Sequence, residues 1–219
     1  MKSVLPALAA AALLCVPAGG QTAGPPEPAE APPPAETGPT TAPPRLLRYR
    51  IVAEKSVLRF ELPTSFHTVN GQVGAWSGRI AVDPGEPGRL RAHIEIKAGS
   101  LTTGNASRDA DMLTKVLEAD RYPTIAFDAE SYKGDLARFE PGALLSLEVS
   151  GALTIHGVHR PAQTSVECAV INDHVLVAGA VPVHWKEFGL RDMSRWFNKV
   201  KDPLTVIFRL WAVPAGPGT

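Results

Sequence analysis

An all-β fold of long antiparallel strands, closed as a barrel or packed as a sandwich, is what this 219-residue sequence predicts. Three observations carry the prediction. Residues 145–155 place Leu145, Leu147, Val149, Gly151, Leu153 and Ile155 at every second position, with the small or polar Ser146, Glu148, Ser150, Ala152 and Thr154 between them. A period of two is what a strand with one buried and one wet face requires. Strand-like segments recur at 47–52, 56–62, 72–82, 90–97, 124–131, 144–155, 162–171, 175–185 and 204–213, separated by turn signals such as Asp83-Pro84-Gly85, Lys133-Gly134-Asp135, Pro141-Gly142 and Asn172-Asp173. Finally, 175–183 is apolar on both faces, with Val175, Val177, Gly179, Val181 and Val183 set against Leu176, Ala178 and Ala180, as a strand covered on both sides demands. A sandwich core reads much like a tube at this level, and a barrel of about eight strands has room inside for side chains or for a single ligand.

The N-terminal fifth lies outside this pattern. Met1-Lys2 supplies a positive start, 4–14 is an apolar run too short to span a bilayer comfortably, and Ala18-Gly19-Gly20 offers small residues for cleavage before Gln21. Residues 1–20 therefore read as an export signal, which places the mature protein in the periplasm or outside the cell. The rival is a lipoprotein signal acylated at Cys15, against which Leu14 stands where a small residue is expected. Residues 21–44 read as a linker: 23–44 hold nine of the 21 prolines and almost no large apolar side chain, too little to offset the entropy of ordering. Proline density makes such a segment semi-extended, a spacer between a membrane or a processed terminus and the folded part; the alternative is a disordered extension left after cleavage. The folded domain is 45–219, long enough for a real core.

Charge is balanced at 22 basic and 22 acidic residues, scattered along the chain, so nothing marks a polyanionic partner such as nucleic acid. Cleavage after Gly20 removes Cys15 and leaves Cys168 without an intramolecular disulfide partner. Alternating with Val166 and Val170, Cys168 reads as a buried, inert thiol.

Two segments interrupt the strands. In 107–119, Ser107 can cap a helix, Asp109 and Asp111 suit its positive start, and Met112, Leu113, Val116 and Leu117 fall on one face. That face needs burial against the sheet or over a barrel opening. The aromatic-rich 187–201 accommodates a helical turn over 191–199 or an irregular flap around Trp196 and Phe197.

Candidate chemistry is sparse. His156 and His159 are three apart across a strand end and a glycine, without a carboxylate at ligand spacing, and His67, His93, His174 and His184 are isolated, which supports neither a metal nor another cofactor. No glycine-flanked serine elbow, phosphate loop or dinucleotide fingerprint is present. The polar run Ser100-Leu101-Thr102-Thr103-Gly104-Asn105 leads into Arg108-Asp109 at a helix start. Helix starts and arginines attract anions; the alternative is that these hydroxyls satisfy the loop while Arg108 and Asp109 pair locally.

The chain resembles the YceI-like family. The resemblance covers roughly 48–213 and rests on the order and spacing of several weak motifs: Ser56-Val57-Leu58-Arg59-Phe60 with His67-Thr68-Val69-Asn70-Gly71; 100–105 with Arg108-Asp109; Arg121-Tyr122-Pro123-Thr124-Ile125-Ala126-Phe127; 149–158; and Phe188-Gly189-Leu190. It implies an extended antiparallel lipocalin-like barrel of about eight strands with one or two short helices, in an exported protein that binds a polyisoprenoid or another long-chain lipid, is not an enzyme, and forms a homodimer as family members do. There are departures: Asp111-Met112-Leu113, Val116-Leu117-Glu118 and His184-Trp185-Lys186-Glu187 stand where the family has other residues, changes that bear on the mouth or on the head group accepted.

On this reading the lipid tail lies against Leu145, Leu147, Val149, Leu153, Val181 and Phe208, and the head group near Arg108 or His156. Two other functions compete with a carrier. One is a hydrolase-like or other small-molecule enzyme with His67, His156 and Arg108 in one polar pocket. The other is a structural or interaction module whose barrel is filled by its own side chains.

Overall fold

Alternation along the chain resolves into eleven strands: β1 (Leu47–Ile51), β2 (Val57–Pro63), β3 (Thr68–Val73), β4 (Trp76–Val82), β5 (Arg89–Lys97), β6 (Leu101–Thr102), β7 (Thr124–Lys133), β8 (Leu144–Ile155), β9 (Val158–Ile171), β10 (His174–Val183) and β11 (Leu204–Pro214). The computed structural model describes residues 46–83, 85–136, 140–194 and 198–216. The export signal, the linker, Cys15, Trp196 and Phe197 lie outside the described residues.

These strands make eight staves of one barrel. β1 and β2 are a single stave bent at the 3₁₀ turn Ala53–Lys55; β3 and β4 are joined through Gly74-Ala75, and β5 and β6 through the 3₁₀ turn Ala98–Ser100. Every neighbouring pair is antiparallel, and the sheet closes where β11 takes β1 at Ala212–Pro214 and β2 at Thr205–Arg209. The connection pattern is an up-and-down meander, so closure leaves no free first or last strand. This settles the choice between barrel and sandwich.

β8 shows why sequence and fold agree. Leu145, Leu147, Val149 and Ile155 are buried, while Leu144 and Ser146 are exposed. β8 and β9 are joined by the two-residue turn His156-Gly157, with φ of 54° and 73°. Two consecutive positive φ values match the right-handed twist of the flanking strands, which is why a glycine stands there. A tight turn likewise joins β9 to β10 at the opposite end of the barrel, at Asn172-Asp173.

Three sequence expectations are corrected. The single strand expected over 72–82 is two, β3 and β4, parted at Gly74-Ala75, and β3 begins at Thr68, where pairing with β2 through Leu62↔Val69 and Phe60↔Gly71 holds it extended. The expected 175–185 strand ends at Val183, and Trp185–Phe188 forms a 3₁₀ turn instead. The helix α1 (Ala106–Asp111) is capped by Asn105, not Ser107: the Asn105 side chain accepts the Arg108 amide at 3.0 Å. It continues as a π turn over Met112–Val116.

Candidate functional site

The inward faces of the staves enclose a cavity of about 320 Å³. Its wall is built by strand periodicity: Leu147, Val149, Leu153 and Ile155 from β8, Val175, Val177, Val181 and Val183 from β10, and Leu204, Val206, Phe208 and Leu210 from β11. From the other side come Ile80 and Val82, Ala92, Ile94 and Ile96, and Ile125, Phe127 and Ala129. One end carries the buried cluster of Tyr132, Leu136, Leu145, Leu147 and Cys168. The other is roofed by Met112, Val116 and Leu117 from the helical segment and by Trp185 and Leu190. The apolar helix face expected over a barrel opening is therefore in place. Trp185 Nε1 donates to the Lys201 carbonyl at 2.9 Å, which pins the start of the long β10–β11 connection to its end.

Five of the six apolar residues expected against a lipid tail, Leu147, Val149, Leu153, Val181 and Phe208, line this one cavity. Leu145 is buried on the same face of β8 but packs in the cluster at the closed end and does not line the cavity. Alternation identifies the face of a residue; its height along the barrel axis depends on the stagger of neighbouring strands.

Arg108 and His156 are placed apart from the cavity wall. Arg108 is exposed, and its guanidinium donates to Thr103 Oγ1 at 2.7 Å and to the Thr103 carbonyl at 3.1 Å. Asp109 accepts from Thr102 Oγ1 at 2.6 Å, from the Thr103 amide at 2.8 Å and from the Thr103 hydroxyl. These bonds, the Thr102 hydroxyl first and the Thr103 hydroxyl next, hold the Asp109 carboxyl below the usual carboxylate range. The polar loop is thus organised around an internal carboxylate that takes the donors a bound anion would use. His156 sits in the β8–β9 turn, its ring 4.1 Å from that of Tyr122 and its Nε2 3.7 Å from Glu118 Oε1.

His67, the third member of the polar pocket considered for an enzyme, is exposed in the β2–β3 turn and does not line the cavity either. Other histidines are engaged locally: His93 Nδ1 with Asp128 Oδ1 at 2.6 Å, and His159 Nδ1 with Thr154 Oγ1 at 2.7 Å. Burial pushes the Cys168 thiol up to about 11.

Part of the wall was not singled out from the sequence. Leu58, Phe60 and Leu62 of β2 do follow period two within the expected 56–62 strand, whereas Val73 and Leu101, at the end of β3 and in the two-residue β6, stand where alternation is too short to read.

With this geometry in hand, a family model described as the YceI-like domain matches residues 49–212, which is most of the chain. The chain belongs to the YceI-like domain family. Its curated relatives include UPF0312 proteins of Pseudomonas savastanoi pv. phaseolicola and Pseudomonas syringae pv. tomato, each 29% identical over 94 residues. Those alignments span 42% of this chain and 45% of the relatives' length. Among solved structures, this YceI-like barrel is similar to BcnA of Burkholderia cenocepacia, with a TM-score of 0.64 at 19% identity over 74% of this chain and 99% of that one. It is similar to a polyisoprenoid binding domain from Saccharophagus degradans, with a TM-score of 0.62 at 18% identity over 77% and 99%. The YceI protein of Campylobacter jejuni follows at 0.56 and 18% over 69% and 88%. At such identities the likeness to solved structures is one of fold.

Proposed function

We propose that this YceI-like protein is an exported, periplasmic carrier that holds the apolar chain of a polyisoprenoid or fatty-acid-like lipid inside its barrel. The observation that carries the reading is the cavity itself, lined along its length by inward-facing aliphatic and aromatic side chains from every stave. A barrel filled by its own side chains would leave no such space. The binding of polyisoprenoid by the Saccharophagus degradans domain supports the choice of ligand class.

Magnitudes make a lipid sufficient without a catalytic or charged partner. Burial contributes about 0.8 kcal/mol per methylene, so a chain of roughly sixteen carbons gains on the order of 13 kcal/mol. Association costs about 4–15 kcal/mol before any polar contact is counted. A long tail offsets most or all of that range, whereas a short one does not, and this selects for length over head-group chemistry. On this proposal Leu147, Val149, Leu153, Val181 and Phe208 hold the tail, residues 1–20 direct export, and 21–44 space the barrel from its site of processing.

The test is mass spectrometry of lipid extracted from the full chain purified without detergent, beside a Val149→Glu variant. Val149 is buried and lines the cavity between Tyr132 of β7 and Thr164 of β9. A carboxylate there is desolvated in a wall that is otherwise largely apolar, and it opposes an apolar ligand. A stoichiometric long-chain species in the parent and its absence from the folded variant are expected. Lipid-free parent protein would refute the proposal.

A further inference from the structure

We infer that the lipid chain enters the barrel sideways, through the seam between β9 and β10, and not through either end. The inference rests on the carrier reading above and adds the route.

The β9–β10 ladder runs from His174↔Ile171 to Gly179↔Val166 and stops there, although both strands continue. β9 remains bonded to β8 back to Val158, and β10 remains bonded to β11 as far as Leu204. Between them the wall lacks one ladder. Carried on, the register would set Thr164 opposite Val181 and Ala162 opposite Val183, and all four line the cavity. A bond of 3.4 Å from Thr164 Oγ1 to the Ala180 carbonyl spans the strands just past the last rung.

The sequence explains why the ladder ends. Pro161 is paired with Ala152 of β8, and Pro182 with Thr205 of β11. A proline has no N–H to give, and within a sheet it is tolerated where its nitrogen faces away from the bonded neighbour. For each of these two, that direction is the seam. Carried on, the register sets Pro182 opposite Gln163 and Pro161 opposite His184, just past the end of β10, so beyond its last rung the seam is short of donors. The same prolines disfavour an added strand from another protein, since proline on an edge is a common device against such pairing. What remains is a gap flanked by Ala162, Thr164, Val181 and Val183, with Gln163 beside them, wide enough in side-chain terms for a flexible hydrocarbon to pass.

The ends are less accessible. One is filled by the buried cluster of Tyr132, Leu136 and Leu145. The other is roofed by Met112 and Leu117 and by Trp185, whose indole is tied to Lys201.

A disulfide across the seam tests the route. Thr164→Cys with Val181→Cys is made in the full chain on a Cys168→Ala background, and the uptake of cis-parinaric acid is followed by stopped-flow fluorescence before and after reduction. The oxidised form is expected to load at least about tenfold more slowly than the reduced form and to reach the same final occupancy. A control staple, Leu176→Cys with Ala169→Cys on the same Cys168→Ala background, joins cross-strand partners in the bonded part of the ladder that do not line the cavity, and is expected to leave the rate unchanged. Thr164→Phe, which needs no disulfide, should slow loading in the same sense. Equal rates in oxidised and reduced seam protein, with both loading, overturn the lateral route and leave the carrier reading standing. Failure of parent and reduced variant alike to take up the probe overturns the carrier reading, and the route with it.

Discussion

A Cβ on Gly179 would stand 2.6 Å from Cζ of Phe208, its partner across the β10–β11 ladder, so the aromatic ring of one residue occupies the space a side chain of the other would need. Phe60 bears the same relation to Gly71 across β2 and β3, at 2.0 Å. Each ring covers a glycine in the wall, where glycine permits so close an approach, and the lumen beyond stays open.

Gly179→Ala is expected to drive the Phe208 ring toward the lumen, because the Ser165 carbonyl oxygen, 3.0 Å from the new methyl, blocks retreat. Overpacking of this kind costs about 1–3 kcal/mol. Urea denaturation should show that loss together with weaker binding of cis-parinaric acid, and Phe208→Leu in the same chain should recover part of both.

Leu145 and Val149 separate stability from loading. Leu145→Ala removes a buried side chain from the closed-end cluster and should cost about 2–5 kcal/mol in chemical denaturation, with lipid still bound under native conditions. Val149→Glu should do the reverse in one respect: a folded protein by circular dichroism that carries no lipid. Equal lipid loss in both variants would show that loading merely tracks stability.

The Asp109 carboxylate ties Thr102 and Thr103 to the start of α1. Its folded value is depressed below the ordinary one, so its contribution to stability is complete above the usual carboxylate range and is lost as pH falls through the lowered folded value. Asp109→Asn should therefore be less stable than the parent at neutral pH and approach it in acid. Urea midpoints measured from pH 7 downward would check this.

For Cys168 the sign is opposite. A thiol raised to about 11 favours the folded state below its ordinary value of 9.0, and that contribution fades as pH rises through the interval between them. At pH 8 a maleimide should leave Cys168 unmodified in the native protein and label it fully in urea, as read by peptide mapping.

At the β8–β9 turn, His156→Asn should be tolerated, since asparagine accepts positive φ readily, whereas Gly157→Val should destabilise the hairpin. A Cβ at Gly157 would also meet Tyr122 Cε1 at 2.9 Å. Thermal unfolding of the two variants, each with its lipid content, distinguishes a turn residue from one that the ligand needs.

Much of this protein was determined by sequence alone, and the reason is that period two is a local property. The run 144–155 became β8 with those bounds, and the turn pairs 141–142 and 172–173 fell where the chain reverses. Local patterning also marked five residues that line one cavity, and it exposed the apolar face of the helical segment that roofs it. Only the tertiary structure decided the rest. Whether strands close into a tube depends on β11 meeting both β1 and β2, a pairing of residues more than a hundred positions apart. Whether the tube is hollow depends on Phe60 and Phe208 facing glycines across a ladder. That Leu145 is plug and Val149 is wall follows from stagger, which alternation does not encode. Pro161 and Pro182 are plain in the sequence, one just before the expected 162–171 strand and the other inside 175–185, but that both flank one seam appears only once β9 and β10 stand side by side.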